Sequence, residues 1–390
     1  MNAPIRVSLI TQSYLPRVGG AERQIAEQAP LLRALGVELH VITRQYPGMA
    51  PYEVIGGVPV HRLPTPGPKA VASVAFTLGA LPLLRRIRPD VLHAFSLFSP
   101  ATTALLARRL CDAPVVVKVL RGGAHGDLVK LRRSRLGQAR LARLRREVSA
   151  FIAISREIDS ELAQAGVPAP RRPFIPNGVD TARFAPLPPA ARDALRRTLG
   201  LGPAPVVVFT GRLNAEKHVG LLVELWPAIR AHLPDATLLL VGTGYQEAEL
   251  RARAGAGIRF IGRVDDVAPF LRAADVFVLP SAAEGLSNAL LEAMSTGVAP
   301  LATAVGGALD LIEDGRNGAL VPPGDAAALR ERLLVLLTHE DERQEMGRRA
   351  RARVVYEYAL PAVAMRLRTL YDCVIARRPF VWEQTPATDG

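Results

Sequence analysis

Ala274-Asp275-Val276-Phe277-Val278-Leu279-Pro280-Ser281 runs directly into Ala282-Ala283-Glu284-Gly285-Leu286-Ser287-Asn288-Ala289-Leu290-Leu291-Glu292-Ala293-Met294. Val276 to Leu279 is a short, wholly apolar run bounded by turn residues, the pattern of a strand covered on both faces. The stretch after it carries apolar residues at helical spacing, which predicts a helix starting near Leu286. A strand that delivers the chain through a short loop into a helix is half of a parallel βαβ unit. Such runs recur on both sides. In the first half they are Arg6 to Thr11, Glu38 to Thr43, Val58 to Arg62, Val91 to Phe95, Val115 to Leu120 and Phe151 to Ile154. In the second they are Val206 to Thr210, Thr237 to Val241, Ile258 to Ile261, Val298 to Ala302 and Ala319 to Val321. The expected fold is α/β, with two doubly wound Rossmann-like domains.

The length of 390 residues suits two domains. Turn chemistry at Ile175-Pro176-Asn177-Gly178-Val179-Asp180 marks the boundary, giving 1–178 and 179–359. Apolar residues make up 49% and charged residues 22%, which excludes a disordered chain. The two cysteines, Cys111 and Cys373, lie in no metal or redox motif and read as free thiols in a reducing compartment. The N-terminal residues lack the pattern of a secretory signal, so a cytoplasmic setting is expected. The most apolar window, Ala70 to Leu84, is interrupted by Ser73, Thr77, Gly79 and Pro82 and is expected to be a buried helix.

Three segments carry chemistry. The unpaired amides and the dipole at the start of the expected helix near Leu286 suit a phosphate. Glu284 before that helix and Glu292 within it, about 12 Å apart at helical rise, suit two carboxylates gripping hydroxyls at opposite ends of a sugar nucleotide; an ordinary amphipathic helix with incidental acids has the same spacing. Gly211-Arg212-Leu213-Asn214-Ala215-Glu216-Lys217 follows the Val206 to Thr210 strand and opens a helix toward Leu233. There Arg212 and Lys217 either neutralise a diphosphate leaving group or stand as solvated cations. Gly19-Gly20-Ala21-Glu22 precedes a helical pattern to Leu35, and its glycines allow close backbone approach to a ligand or simply form a loop-to-helix turn. Pro30 is expected to kink or break that helix. Gly242-Thr243-Gly244 lacks the third glycine of a dinucleotide loop, since Glu247 stands in its place.

Taken in order with Leu238 to Gly244, Gly306-Gly307, Asp314-Gly315 and Gly318, these segments resemble glycosyltransferase family 4, retaining enzymes of GT-B fold. The resemblance covers roughly residues 5 to 370 and implies two domains facing each other across a cleft, the first binding acceptor and the second the nucleotide-sugar donor. It implies that Glu284 faces the donor sugar, that Glu292 holds the ribose, and that Arg212 and Lys217, in the loop opened by Gly211, bind the diphosphate. Gly19, Gly20 and the amides of Leu286 and Ser287 would lie near the phosphates. The last helices, 360–385, would cross back onto the first domain. Many relatives carry a His at the position of Leu120, so that residue is not transferable; either His125 or Asp127 would line the acceptor or sugar pocket instead, or His125 is a structural residue of its Gly-rich loop. His218 stands where relatives often have Gly.

The implied reaction moves a sugar from a UDP- or GDP-linked donor to an acceptor hydroxyl of a glycolipid, polysaccharide or related glycan. No cofactor is expected, and no metal, because the chain contains no Asp-x-Asp. Residues 1–178 hold 25 basic and 11 acidic side chains, the remainder 24 and 25. An anionic partner therefore belongs to the first half. Lys130 to Arg146, with eight basic residues and no acid, reads as a basic amphipathic helix on an anionic membrane surface, at the inner face of the membrane, as one facing a phosphate-bearing acceptor, or as a solvated face. Aromatics are few and none interleaves with this charge, which argues against nucleic acid. The alternative to an enzyme is a non-catalytic peripheral membrane-binding protein that keeps a GT-B-like shell.

Overall fold

The computed structural model describes residues 4–17, 19–123 and 126–381. The chain divides into two compact units, Met1–Asn177 with Pro361–Gly390, and Gly178–Leu360. Each is built on a mostly parallel sheet.

Unit 1 contains β1 (Ile5–Ile10), β2 (Val37–Arg44), β3 (Tyr52–Ile55), β4 (Val58–Leu63), β5 (Val91–Phe95), β6 (Val115–Val119) and β7 (Ala150–Ala153), in the order β3-β4-β2-β1-β5-β6-β7. The fully buried runs of β5, β6 and β7 are covered on both faces, and each buried Val, Leu or Ile contributes about 1.5–3 kcal/mol. Sequence reading missed β3. It pairs antiparallel with β4 through Gly56-Gly57, both at positive φ (57° and 77°), as a two-residue hairpin turn requires. Buried Arg62 anchors this ribbon, pairing with Glu53 at 3.0 Å and donating to the carbonyls of Ala50 and Leu15.

Two helix expectations change. Pro30 lies inside a continuous helix, Gly20–Ala34. The apolar window forms a helix over Lys69–Ile87, but only its Ala72, Phe76, Thr77, Ala80 and Leu84 side is buried. Val71, Val74 and Leu78 face outward at 54%, 59% and 62% exposure.

Unit 2 contains β8 (Val206–Thr210), β9 (Thr237–Val241), β10 (Ile258–Gly262), β11 (Val276–Leu279), β12 (Ala299–Thr303) and β13 (Ala319–Val321), ordered β10-β9-β8-β11-β12-β13. From β8 the chain winds outward through β9 and β10, then returns to β11 on the other side of β8. The boundary between β8 and β11 is thus the point where winding reverses, and ligands of such sheets bind beyond the strand ends there. In unit 1 the same reversal falls between β1 and β5. Helices Ala326–Thr338, Glu340–Glu357 and Leu360–Ile375 close the described chain.

Candidate active site

The loops leaving β8 and β11 are neighbours because the strands are hydrogen-bonded partners, Val276 with Val207 and Phe277 with Val208. The amide of Ala282 donates to the Glu216 carbonyl at 2.9 Å and ties one loop to the other. Across this junction Lys217 Nζ donates to Glu284 Oε1, and Ser281 Oγ donates to the same oxygen at 2.6 Å. The side chains of Lys217 and Glu284 are only 17% and 11% exposed. Thr303 Oγ1 donates to the Ser281 carbonyl at 2.6 Å and fixes the loop to the end of β12. Two groups of the sequence analysis, and a serine it did not assign, thus form one cluster at the reversal point. Ser281 sits three residues before Glu284, a spacing visible in the sequence, but its bond needs the fold.

Glycines let these loops close on one another. A Cβ on Gly242 would lie 1.9 Å from the Gly211 carbonyl oxygen, and one on Gly244 2.0 Å from that of Leu213. At Gly306, φ is +50° and a Cβ would lie 2.1 Å from the Glu284 carbonyl oxygen; the Gly307 amide donates to the Gly285 carbonyl at 2.6 Å. The backbone bearing Glu284 is therefore held against two consecutive positions, Gly306 and Gly307, that admit no side chain.

Four details differ from the sequence expectation. The helix starts at Asn288, not near Leu286, and ends at Ser295. Ser287 is its N-cap and accepts the Leu290 amide at 3.3 Å, so the first-turn amides belong to Asn288, Ala289 and Leu290, not to Leu286. The cause is Gly285-Leu286, which form a bend ahead of the helix while buried Leu286 packs inward. Glu284 consequently stands four residues before the helix, and its distance to Glu292 is not an eight-residue helical rise. Lys217 lies in a 3₁₀ turn, Ala215–Lys217, and not in the first turn of the following helix, Val219–His232. His218 between them adopts φ 48°, ψ 32°, a left-handed conformation that explains why a glycine suits this position.

Arg212 follows Gly211 and is exposed; among the described residues no carboxylate pairs with it. Glu292 is buried and partnered within the fold. Tyr245, missed in the sequence, accepts the Ala215 amide on its hydroxyl at 2.9 Å while its ring stands exposed beside the Arg212 to Lys217 loop.

In unit 1, Gly19 caps and Gly20 opens the Gly20–Ala34 helix, whose Glu22 accepts the Ser13 hydroxyl. Asp127 is buried at the start of the Asp127–Arg132 helix; burial pushes its carboxyl pKa up against the opposing pull of Lys130 and Arg121. His125 lies outside the described residues. Lys130 to Arg146 spans two helices, the second Arg135–Glu147 with Leu141 and Leu144 buried and Leu136 86% exposed. Arg140 turns inward to the Thr102 hydroxyl and the Phe98 ring, and Arg143 and Arg146 pair with Glu147.

Residues 18–183 match the family model Glycosyltransferase Family 4, and residues 204–339 match that of the group 1 glycosyl transferases. The chain is 30% identical to a GDP-mannose-dependent alpha-mannosyltransferase of Mycobacterium tuberculosis, over 96% of this chain and 98% of that one. It is 32% identical to the protein of the same description from Mycolicibacterium smegmatis, over 96% and 99%. Among solved structures, sucrose-phosphate synthase from Thermosynechococcus elongatus superposes with a TM-score of 0.80 at 23% identity, covering 96% of this chain and 100% of that one. Anabaena HepE in complex with UDP-glucose superposes with 0.77 at 20%, covering 94% and 99%.

Proposed function

The chain belongs to glycosyltransferase family 4 and is a glycosyltransferase of GT-B fold, and from that membership we propose that it moves a mannosyl group from GDP-mannose to a hydroxyl of a lipid-linked acceptor with retention at the anomeric carbon. Unit 2 takes the donor and unit 1 the acceptor. The observation that carries the catalytic reading is the Lys217–Glu284–Ser281 cluster where the loops of two central strands meet. The donor is supported by the descriptions of the relatives, and a lipid-linked, anionic acceptor surface by the basic excess of the first half.

In the proposed reaction the bond between the anomeric carbon and the β-phosphate oxygen breaks as the acceptor oxygen approaches the same face. The acceptor proton passes to the departing phosphate oxygen, and GDP leaves. No protein base is needed, so Leu120 in place of a histidine is compatible with turnover. Negative charge develops on the diphosphate, where exposed Arg212 and the Lys217 ammonium stabilise it without a metal ion. Glu284, held by Lys217 and Ser281, accepts a hydrogen bond from a sugar hydroxyl. Lys217 then shares its charge between Glu284 and the leaving group.

Thermal shift with GDP-mannose, UDP-glucose and ADP-glucose in EDTA tests this. GDP-mannose is expected to raise the melting temperature most, and Glu284→Ala to abolish transfer by a folded protein. Stabilisation only after a divalent ion is restored would refute the metal-free course, and undiminished transfer by Glu284→Ala would refute the site. The anomeric configuration of the product, read by NMR, decides retention.

A further inference from the structure

Lys118 is one of only four lysines in the chain, and none of the chemistry described above uses it. It occupies the penultimate position of β6, at the carboxyl end of the unit 1 sheet, and is 4% exposed. Among the described residues no carboxylate forms an ion pair with its ammonium and no acceptor takes its hydrogens; its neighbour is the Phe95 ring, 5.8 Å from the nitrogen. The titratable groups beside it supply no negative charge. His93, on β5, is fully buried and held neutral, its pKa lowered to about 3 by burial and by the Lys118 charge. One of its nitrogens meets the Tyr371 hydroxyl at 2.8 Å, and the other has no partner. Tyr371 is raised well above its ordinary pKa by burial, so it too is neutral.

The Lys118 stem is buried and its ammonium keeps only a narrow contact with solvent; a charge so placed without a counter-ion is costly, and such charges are ordinarily paired. Burial lowers the Lys118 pKa to about 8, which leaves it charged at neutral pH. The position is informative as well. β6 is adjacent to β5, one of the two strands at the winding reversal, and β5 is followed by Ser96 at φ 116°, a strained value for a residue with a Cβ. The Ser96 amide donates to the Lys118 carbonyl at 3.1 Å. Strain and an uncompensated charge therefore meet at the sheet end where ligands of this fold bind.

We infer that Lys118 anchors an oxyanion subsite in unit 1 and takes the phosphate of a phosphorylated acceptor. A neutral hydroxyl would satisfy the N–H groups and leave the charge uncompensated; a phosphate does both. The inference deepens the acceptor-side reading of unit 1 and rests on it.

The full chain labelled with [13Cε]lysine gives four resonances, assignable by single Lys→Arg variants. Each is titrated with pH in chloride, inorganic phosphate, glycerol phosphate or GDP at equal ionic strength. Because a phosphate that binds only the charged lysine raises its pKa by linkage, phosphate or glycerol phosphate at about ten times its Kd is expected to raise the Lys118 pKa by about one unit. GDP is expected to move Lys217 and leave Lys118 in place. A Lys118 signal indifferent to phosphate and to glycerol phosphate overturns the subsite. One that follows GDP overturns its assignment to the acceptor. A GDP-silent Lys217 beside a phosphate-responsive Lys118 sinks the donor site while leaving this one standing. In turnover, Lys118→Met is expected to raise KM for a phosphorylated acceptor about tenfold or more and to leave KM for the donor within about twofold, with Lys118→Arg restoring most of the loss. An equal fall in kcat with both KM values unchanged would mark a structural residue and overturn the inference.

Discussion

Lys217 and Glu284 compensate one another in a largely buried setting, so removing either strands the other. Breaking one side of such a pair costs up to about 3–5 kcal/mol when fully buried, whereas removing both is far cheaper. With side chains 17% and 11% exposed, Lys217→Ala and Glu284→Ala are each expected to lower the urea midpoint, and the double variant to be no less stable than either single. Additive losses would show that the pair is not coupled. His218 makes a different prediction. Its left-handed conformation costs about 1 kcal/mol or more relative to glycine, partly offset by the greater freedom of glycine in the unfolded chain. His218→Gly should therefore leave the melting temperature equal or slightly higher, and His218→Val, β-branched at φ 48°, should lower it. Residue types at the site were legible because Lys217, Arg212 and Glu284 each follow a readable strand. Their pairing was not, since it joins positions 67 apart in sequence through the adjacency of β8 and β11.

Legibility of a strand follows its apolar run and not burial alone: Ile258–Gly262 is readable although none of its residues is buried. The strands of both sheets announce themselves as apolar runs, but Tyr52–Ile55 alternates between exposed and half-exposed positions on the sheet edge and lacks that signature; its signal was the Gly-Gly turn that follows. Lys69–Ile87 was misjudged the other way, because composition alone does not say which side of an apolar helix meets the core. Its outward Val71, Val74 and Leu78 share a unit with the basic Arg135–Glu147 helix. If unit 1 meets an anionic lipid surface, Val74→Asp with Leu78→Asp should reduce flotation with anionic vesicles several-fold. Stability should change by no more than about 0.5 kcal/mol per substitution, since these side chains are mostly exposed. Unchanged flotation removes this helix from the membrane reading. The glycine loops are less forgiving. A Cβ on Gly307 would stand 2.6 Å from the Gly285 carbonyl oxygen and 2.9 Å from the Leu286 Cα, both backbone. Gly307→Ala must therefore move the loop that carries Glu284, and a loss of turnover of about 10²-fold is expected from a displacement of about 1 Å.

At the scale of the whole molecule, unit 1 is discontinuous: its first 177 residues are completed by the segment after Leu360. Val363, Leu367, Leu370 and Tyr371 of the last helix are each no more than 4% exposed, and Arg368 donates to the Leu35 carbonyl. At about 1.5–3 kcal/mol for each large side chain, these four are worth about as much as the whole 5–15 kcal/mol stability of an ordinary domain. A chain ending at Leu360 should then lose the cooperative melting of unit 1 while unit 2 unfolds as before; calorimetry showing both transitions intact would contradict this. The same joint sets an acid limit. His93 is neutral in the folded protein, with its pKa lowered to about 3, and returns to about 6.5 on unfolding. Between those values the unfolded chain binds the extra proton, so stability contributed by the neutral form is complete above pH 6.5. It is lost as pH falls toward 3, at up to about 1.4 kcal/mol per pH unit. His93→Gln keeps a group able to meet the Tyr371 hydroxyl but cannot take up that proton. Its stability should therefore decline less steeply than the parent's over this window, by close to one proton's slope, and parallel curves from urea unfolding would show that His93 is not the group responsible.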